Sequence, residues 1–218
     1  MHSTILFAQA DAANDISILY WYATAAGPLF GPLFILISIV FVTLAIMNWL
    51  AISRNAIVPP EMLEQFHAKL TAKDYQEAYE IAKNSDSTLG KILAVGLVKM
   101  SESVVNAEHA MTDAAEEEVL RLENRLSYLG IVASVTPMVG LLGTVYGMID
   151  AFYVIAQSGV QPNPTALSGG ISLALVTTQY ALMIAIPALV LFEVLKTRLA
   201  QFVLELNVQM DAVLRQFK

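Results

Sequence analysis

Three threonines in the second half of the chain are the residues best placed to do chemistry, because the two apolar segments around them contain no lysine or arginine and only two acidic residues. Thr144 follows Gly143 in one apolar segment, and the pair Thr177 and Thr178 lies in another. A threonine hydroxyl can donate and accept a hydrogen bond without carrying a charge. Such a group can stabilise a proton or ion that another group carries through an apolar environment. These threonines are therefore candidates for an ion path, and the alternative is that each hydroxyl only bonds to its own helix.

Bond-making catalysis is not indicated by the rest of the sequence. The chain has no cysteine, and its three histidines are scattered at His2, His67 and His109. Neither an HExxH pattern nor a Gly-x-Ser-x-Gly elbow is present. The net charge of -7 and the lack of a basic patch argue against a nucleic-acid partner. We expect no enzyme activity, no metal and no cofactor.

The elements that must position the threonines follow from the distribution of charge. All 12 lysines and arginines lie in residues 54–125 or after residue 195. Between and before them lie three apolar stretches, each longer than the roughly 20 residues that a helix needs to cross a bilayer. We predict transmembrane helices over residues 27–52, 126–156 and 167–195.

The same charge pattern predicts the topology, because positively charged loops stay in the cytoplasm. The basic regions 53–125 and 196–218 are then cytoplasmic. The N-terminal segment 1–26 and the short loop 157–166 are then periplasmic.

The cytoplasmic regions have helical patterns. We predict short amphipathic helices over residues 60–70, 74–84 and 88–101, with Asp86 or Ser87 capping the last. From about residue 103 the pattern runs unbroken into the second span, and the third span continues as a charged tail. The acidic run 116–118 is interpreted as a solvated helix face, with a docking patch as the alternative. The predicted fold is an all-α membrane protein with three spans and long cytoplasmic helical extensions.

Small residues recur at spacings of three and four along both later spans, which places them on one face of each helix. Small faces let helices approach closely in lipid, so we favour helix packing, with pore lining as the alternative. The residues concerned, with one proline in each span, are Pro137, Gly140, Gly143, Gly147, Ala174, Ala181 and Pro187.

The spacing of two threonines predicts that they share one depth in the membrane. Thr144 lies 17 residues before Gln161, the expected centre of the hairpin, and Thr178 lies 17 residues after it. A ring of such hairpins would carry a belt of hydroxyls; the alternative is that each hydroxyl bonds only to its own helix. Asp150 and Glu193 lie nearer the ends of their spans. A titrating group at the threonine level must therefore come from another chain.

Two motifs resemble signatures of the MotA/TolQ/ExbB proton-channel family. Residues 136–148 read TPMVGLLGTVYGM, while residues 174–178 read ALVTT and residues 185–188 read AIPA. The three-span layout resembles the ExbB/TolQ-like branch. Many relatives have a glutamate where this chain has Leu173.

The resemblance implies a bacterial inner-membrane subunit of a motor driven by the proton motive force. It implies a homopentamer around two copies of a single-span ExbD/TolR-like partner, whose aspartate carries the proton. Thr144 and Thr178, with Thr177 beside them, would then line the ion path. The work would reach a TonB-like or TolA-like protein. The alternative is a structural membrane scaffold that conducts no ions.

Overall fold

The structure is a computed structural model that describes residues 26–158 and 164–217. Within those ranges it contains seven helices and no strand, which confirms the all-α prediction there. The helices are α1 (Gly27–Ala51), α2 (Arg54–Ile57), α3 (Pro60–Thr71), α4 (Tyr75–Lys83), α5 (Thr88–Met100), α6 (Val104–Ser158) and α7 (Pro164–Arg215). The predicted periplasmic segment 1–26 lies outside the described residues, apart from Ala26.

Three of these helices, α1, α6 and α7, are long and apolar enough to cross a membrane. Only 11% of the most apolar window of α1 is buried inside the chain, and 28% of the windows in α6 and α7. Most of this apolar surface therefore has to be covered by lipid or by other chains.

The helices on both sides of the predicted loop 157–166 extend into it. Residues 157–158 belong to α6 and residues 164–166 to α7, so half of the predicted loop 157–166 is helical. Pro164 is suited to the first position of a helix, because its backbone lacks the N–H that would remain unbonded there. Gln157 and Ser158 carry no helix-breaking feature, and the first glycine in this region is Gly159.

Side-chain caps begin three of the four short helices, and α3 instead begins at Pro60 without one. The Ser87 hydroxyl accepts a hydrogen bond of 3.1 Å from the Gly90 N–H at the start of α5, as predicted for this position. The Asp74 carboxylate accepts one of 3.2 Å from the Glu77 N–H and caps α4. The single-turn helix α2, which the sequence analysis missed, is capped in the same way by Ser53.

The described residues form two compact units, and α6 and α7 contribute to both. The first unit comprises residues 26–43 and 131–189 without the turn. In it, α1 packs on the α6–α7 hairpin through the buried rings of Phe30 and Phe34, which lie against Ala181. Further aromatic contacts join Phe30 to Tyr146 and Phe34 to Tyr180.

The second unit comprises residues 44–130 and 190–217. Here α4 packs against both α3 and α5. The largest fully buried side chains of this core include Phe66, Ile92 and Leu93. Met111 of α6 fills the space that a side chain at Gly96 of α5 would need. The short helix α5 therefore packs against the part of α6 that lies in the second unit.

One acidic residue departs from its prediction. The Glu118 side chain is only 14% exposed, and its carboxylate pairs with Lys91 of α5 at 3.4 Å and Arg121 at 2.9 Å. Glu117, in contrast, is 73% exposed and fits the predicted solvated face. The interpretation of residues 116–118 as wholly solvated is wrong for Glu118, because α5 approaches α6 on that side.

Candidate functional site

The α6–α7 hairpin in the first unit is built from small residues that face each other. Gly140 lies against Ala181, and Gly143 lies against Thr177, so that a Cβ at Gly143 would stand 2.5 Å from the Thr177 hydroxyl. A Cβ at Gly147 would stand 2.5 Å from the Gly170 carbonyl and 2.8 Å from the Ala174 N–H. These glycines therefore allow an approach of the two helices that any side chain would prevent.

These contacts set the register of the hairpin. The pairs Gly140–Ala181, Gly143–Thr177 and Gly147–Ala174 are each nearly equidistant from residues 160 and 161, in agreement with the centre predicted near Gln161. Gly143 is the neighbour of Thr144, and its facing residue Thr177 is the neighbour of Thr178. The three threonines therefore lie within about one helical turn of a common level along the hairpin.

The three hydroxyls have different surroundings. Thr177 is fully buried between the helices and donates to the Leu173 and Ala174 carbonyls, both at 2.9 Å. Thr144 is half-buried and donates to the Leu141 carbonyl at 2.7 Å. Thr178 is half-buried, lies 3.4 Å from the Ala174 carbonyl and reaches across the hairpin to the Gly140 carbonyl at 3.5 Å.

Contacts of α1 occupy one side of the hairpin. They involve Tyr146 of α6, Tyr180 of α7 and Leu173, which lies beside Gly27. We call the line of facing residues in the hairpin the glycine seam; it consists of Gly140, Gly143, Gly147, Ala174, Thr177 and Ala181. With 3.6 residues per turn, Thr144 and Thr178 project from the side of this seam that lies opposite α1. On that side the helices expose large apolar side chains. We call this surface the open flank; it consists of Pro137, Leu141, Thr144, Met148, Ile171, Leu175, Thr178 and Leu182.

Neither proline lies at the level of the threonines along the hairpin. Pro137 lies on the open flank, about two turns along α6 from Thr144, and Pro187 lies exposed on α7. The Thr136 hydroxyl donates to the Val132 carbonyl at 2.6 Å, one residue before the carbonyl that Pro137 leaves without its helical donor. A threonine hydroxyl therefore does not take over that freed carbonyl.

Charge is nearly absent from the first unit. Among its described residues, Asp150 is the only one with an acidic or basic side chain. It lies about 9 Å further along α6 than Thr144. Glu193 belongs to the second unit. Groups of acidic or histidine side chains that could hold a metal are absent from the part of the chain that the structure describes.

Comparison with known sequences identifies the family to which the chain belongs. The model of the MotA/TolQ/ExbB proton channel family matches residues 84–208. The Tol-Pal system protein TolQ of Haemophilus influenzae is 31% identical over 182 residues, which cover 75% of this chain and 79% of that protein. The chain belongs to the MotA/TolQ/ExbB proton channel family.

Two further relatives carry the name ExbB. The biopolymer transport protein ExbB of Aquifex aeolicus is 35% identical over 114 residues, 52% of this chain and 75% of that protein. The protein of the same name in Salmonella typhimurium is 27% identical over 145 residues, 60% of this chain and 58% of its own length. Membership of this family of transport channel proteins, together with three helices able to span a bilayer, supports a multi-pass protein of the inner membrane.

Two features of the structure were missed by sequence reasoning. Tyr146 and Tyr180 form the contact surface for α1 and so determine which side of the hairpin stays open. In the second unit, Asn48 of α1 is 3% exposed and its Oδ1 has no hydrogen-bond partner within the described ranges. The only signal for Asn48 was an amide in an otherwise apolar segment.

Proposed function

We propose that this chain is the repeated subunit of an inner-membrane energiser, in which ion flow does mechanical work on periplasmic or outer-membrane partners. Five copies would surround two copies of a single-span ExbD/TolR-like partner, whose aspartate carries the proton. The work would reach a TonB-like or TolA-like protein. Family membership supports this proposal, and so does the similarity to proteins named TolQ and ExbB.

The observation that carries the proposal is the pair of hydroxyls on the open flank. Thr144 and Thr178 are the polar side chains of a surface that is otherwise apolar, and they lie at one level. No acidic side chain of the described first unit lies at that level, since Asp150 is about two turns away. An aspartate supplied by a partner helix on the open flank would complete the site.

The hydroxyl chemistry suits both states of such an aspartate. In the present arrangement each hydroxyl donates to a backbone carbonyl of its own helix. Its oxygen can still accept a hydrogen bond from a protonated aspartic acid. After deprotonation, rotation of the hydroxyl would let it donate to the carboxylate, which is costly to leave unpaired in hydrocarbon. Threonine adds no charge of its own that would trap the ion.

Valine substitution tests this role, because valine keeps the branched shape and removes the hydroxyl. We expect Thr144→Val and Thr178→Val each to assemble normally and to lower ion-driven work in the cell at least tenfold. Losing a buried hydrogen-bond partner costs roughly 1–3 kcal/mol. That is comparable to the drive of about 2.3 kcal/mol per charge per 100 mV.

The matched control is Thr43→Val in α1. Thr43 is exposed, and its hydroxyl bonds back to the Ile39 carbonyl at 2.8 Å, as those of the other threonines do to their own helices. It lies on a different helix from the open flank, so this variant should keep full activity. Full activity of both hairpin variants would instead favour the structural scaffold, in which every hydroxyl only satisfies its own helix.

The proposed topology rests on the segregation of lysine and arginine. Residues 53–125 and 196–218 are proposed to be cytoplasmic, and residues 1–26 and 157–166 periplasmic. The chain has no cysteine, so single cysteines at Lys83 and Asn163 can be labelled without background. We expect an impermeant maleimide added to whole spheroplasts to label position 163 and not position 83. Labelling of position 83 alone would reverse the topology.

A further inference from the structure

A pocket in the second unit is unrelated to the threonine site. Its volume is about 590 Å³, within the range of about 300–1,000 Å³ that is typical of small-ligand sites. It lies between α4, the end of α5 and Phe217. Its apolar and aromatic lining consists of Tyr75, Tyr79, Leu97, Val98, Met100 and Phe217.

Aromatic rings form one side of this pocket. The rings of Tyr75 and Phe217 have centroids 5.4 Å apart, and Tyr75 is 46% exposed. The electron-rich face of such rings attracts organic cations. The ring of Tyr79 already has such a contact within the chain, because the ammonium group of Lys83 lies 5.6 Å from the centroid of the Tyr79 ring. Lys83 itself is not part of the pocket lining.

Negative charge lies at the same pocket. Glu80 is the only charged residue of the lining, and among the described residues it has neither an ion pair nor a hydrogen bond from its side chain. Its neighbour Glu77, in contrast, pairs with Lys69 at 2.7 Å. The α5 helix ends at Met100 in the lining, and a helix C-terminus carries partial negative charge. This charge is partly offset, because the Val98 carbonyl accepts a hydrogen bond from the Ser101 hydroxyl and the Lys99 carbonyl accepts one from the Glu102 N–H, both at 3.0 Å.

We propose that this pocket binds an amphipathic organic cation, with an apolar body and one ammonium group. The apolar body would lie against the aliphatic and aromatic lining, where burial removes it from water. The ammonium group would lie toward Glu80 and the end of α5. A free amine and the lysine side chain of a peptide share this chemistry.

A pair of ligands that differ only in charge tests the proposal. The probes are 4-phenylbutylamine and the neutral 4-phenylbutanol, added to the full chain in zwitterionic lipid nanodiscs. Incorporated 3-fluorotyrosine reports binding by ¹⁹F NMR, with the Tyr75 and Tyr79 signals assigned from Tyr→Phe variants. We expect the amine to bind about five- to tenfold more tightly than the alcohol, given the size of exposed cation–π and ion-pair contributions.

Three variants connect that preference to the pocket. Glu80→Gln should abolish the preference for the amine, whereas Glu64→Gln, an exposed glutamate outside the lining, should leave it unchanged. Lys83→Gln removes a neighbouring positive charge and should raise amine affinity about twofold. Equal binding of amine and alcohol, or a preference that survives Glu80→Gln, would overturn the proposal.

A peptide identifies the source of the cation. Acetyl-Leu-Lys-Leu-amide should shift the same tyrosine signals, with the same loss in Glu80→Gln. Tighter binding of the peptide than of 4-phenylbutylamine assigns the pocket to a lysine of a protein, and weaker binding assigns it to a free amine.

Discussion

In the first unit α6 and α7 meet through glycine and alanine, whereas the core of the second unit is built around large side chains such as Phe66, Ile92 and Leu93. In the first, Gly140 and Gly147 allow close backbone contact with α7, and one acidic side chain is present among the described residues. In the second, Phe66 and Ile92 are fully buried, and ion pairs such as Arg54–Glu205 join separate helices.

The difference follows from the solvent that each unit is expected to meet. In lipid, burying a large apolar side chain gains little, so helices associate through close packing of small residues. In water, the same burial is worth about 1.5–3 kcal/mol per large side chain. On the proposed topology, the second unit gains most of its stability from its own core, while the first leaves apolar surface for lipid and partner helices to cover.

The largest effect is expected from filling the glycine seam. Gly143→Leu would force α6 and α7 apart, because even a Cβ there would stand 2.5 Å from Thr177. We expect loss of the assembled complex and of all activity. Gly169→Leu is the matched control, since a Cβ at Gly169 meets nothing within 4 Å. Native mass spectrometry in mild detergent measures assembly. An intact complex in Gly143→Leu would contradict the claim that close packing at the glycine seam is needed for assembly.

Replacing one buried phenylalanine by alanine in each unit tests directly whether large side chains stabilise the second unit more than the first. Phe66 is fully buried in the second unit, and Phe34 is 5% exposed in the first. Removal of a large core side chain costs about 3–5 kcal/mol in a protein that folds in water. We expect Phe66→Ala to cost that much and Phe34→Ala clearly less, because lipid can solvate what remains. Thermal unfolding of both variants in nanodiscs measures the difference, and equal losses would refute this account.

The sequence predicted the parts of this structure that local signals determine. Ser87 and Pro60 mark helix starts through their own side chains, and the facing stripes of small residues set the register of the hairpin. Thr144 and Thr178 accordingly lie at one level, as their spacing predicts.

What the sequence did not predict depends on which elements approach each other. The α1 helix is apolar on every side, so its contact face on Tyr146 and Tyr180 has no periodic signal. The open flank could therefore not be located beforehand. The burial of Glu118 likewise depends on Lys91, which is distant in sequence.

The smallest effect is expected from the acidic run of the second unit, and it tests whether ion pairs there contribute stability. Glu118 is 14% exposed and pairs with Lys91 and Arg121. Both cations are about half exposed, so Glu118→Gln should cost only about 1 kcal/mol. Glu117→Gln is the control: Glu117 is 73% exposed and pairs with Arg121 alone, so its loss should cost about 0–0.5 kcal/mol. Thermal unfolding at low and at 1 M salt separates the cases, because salt screens exposed pairs more than partly buried ones. If the two variants lose the same stability at low salt, the pairing of α5 with α6 through Glu118 adds nothing to the second unit.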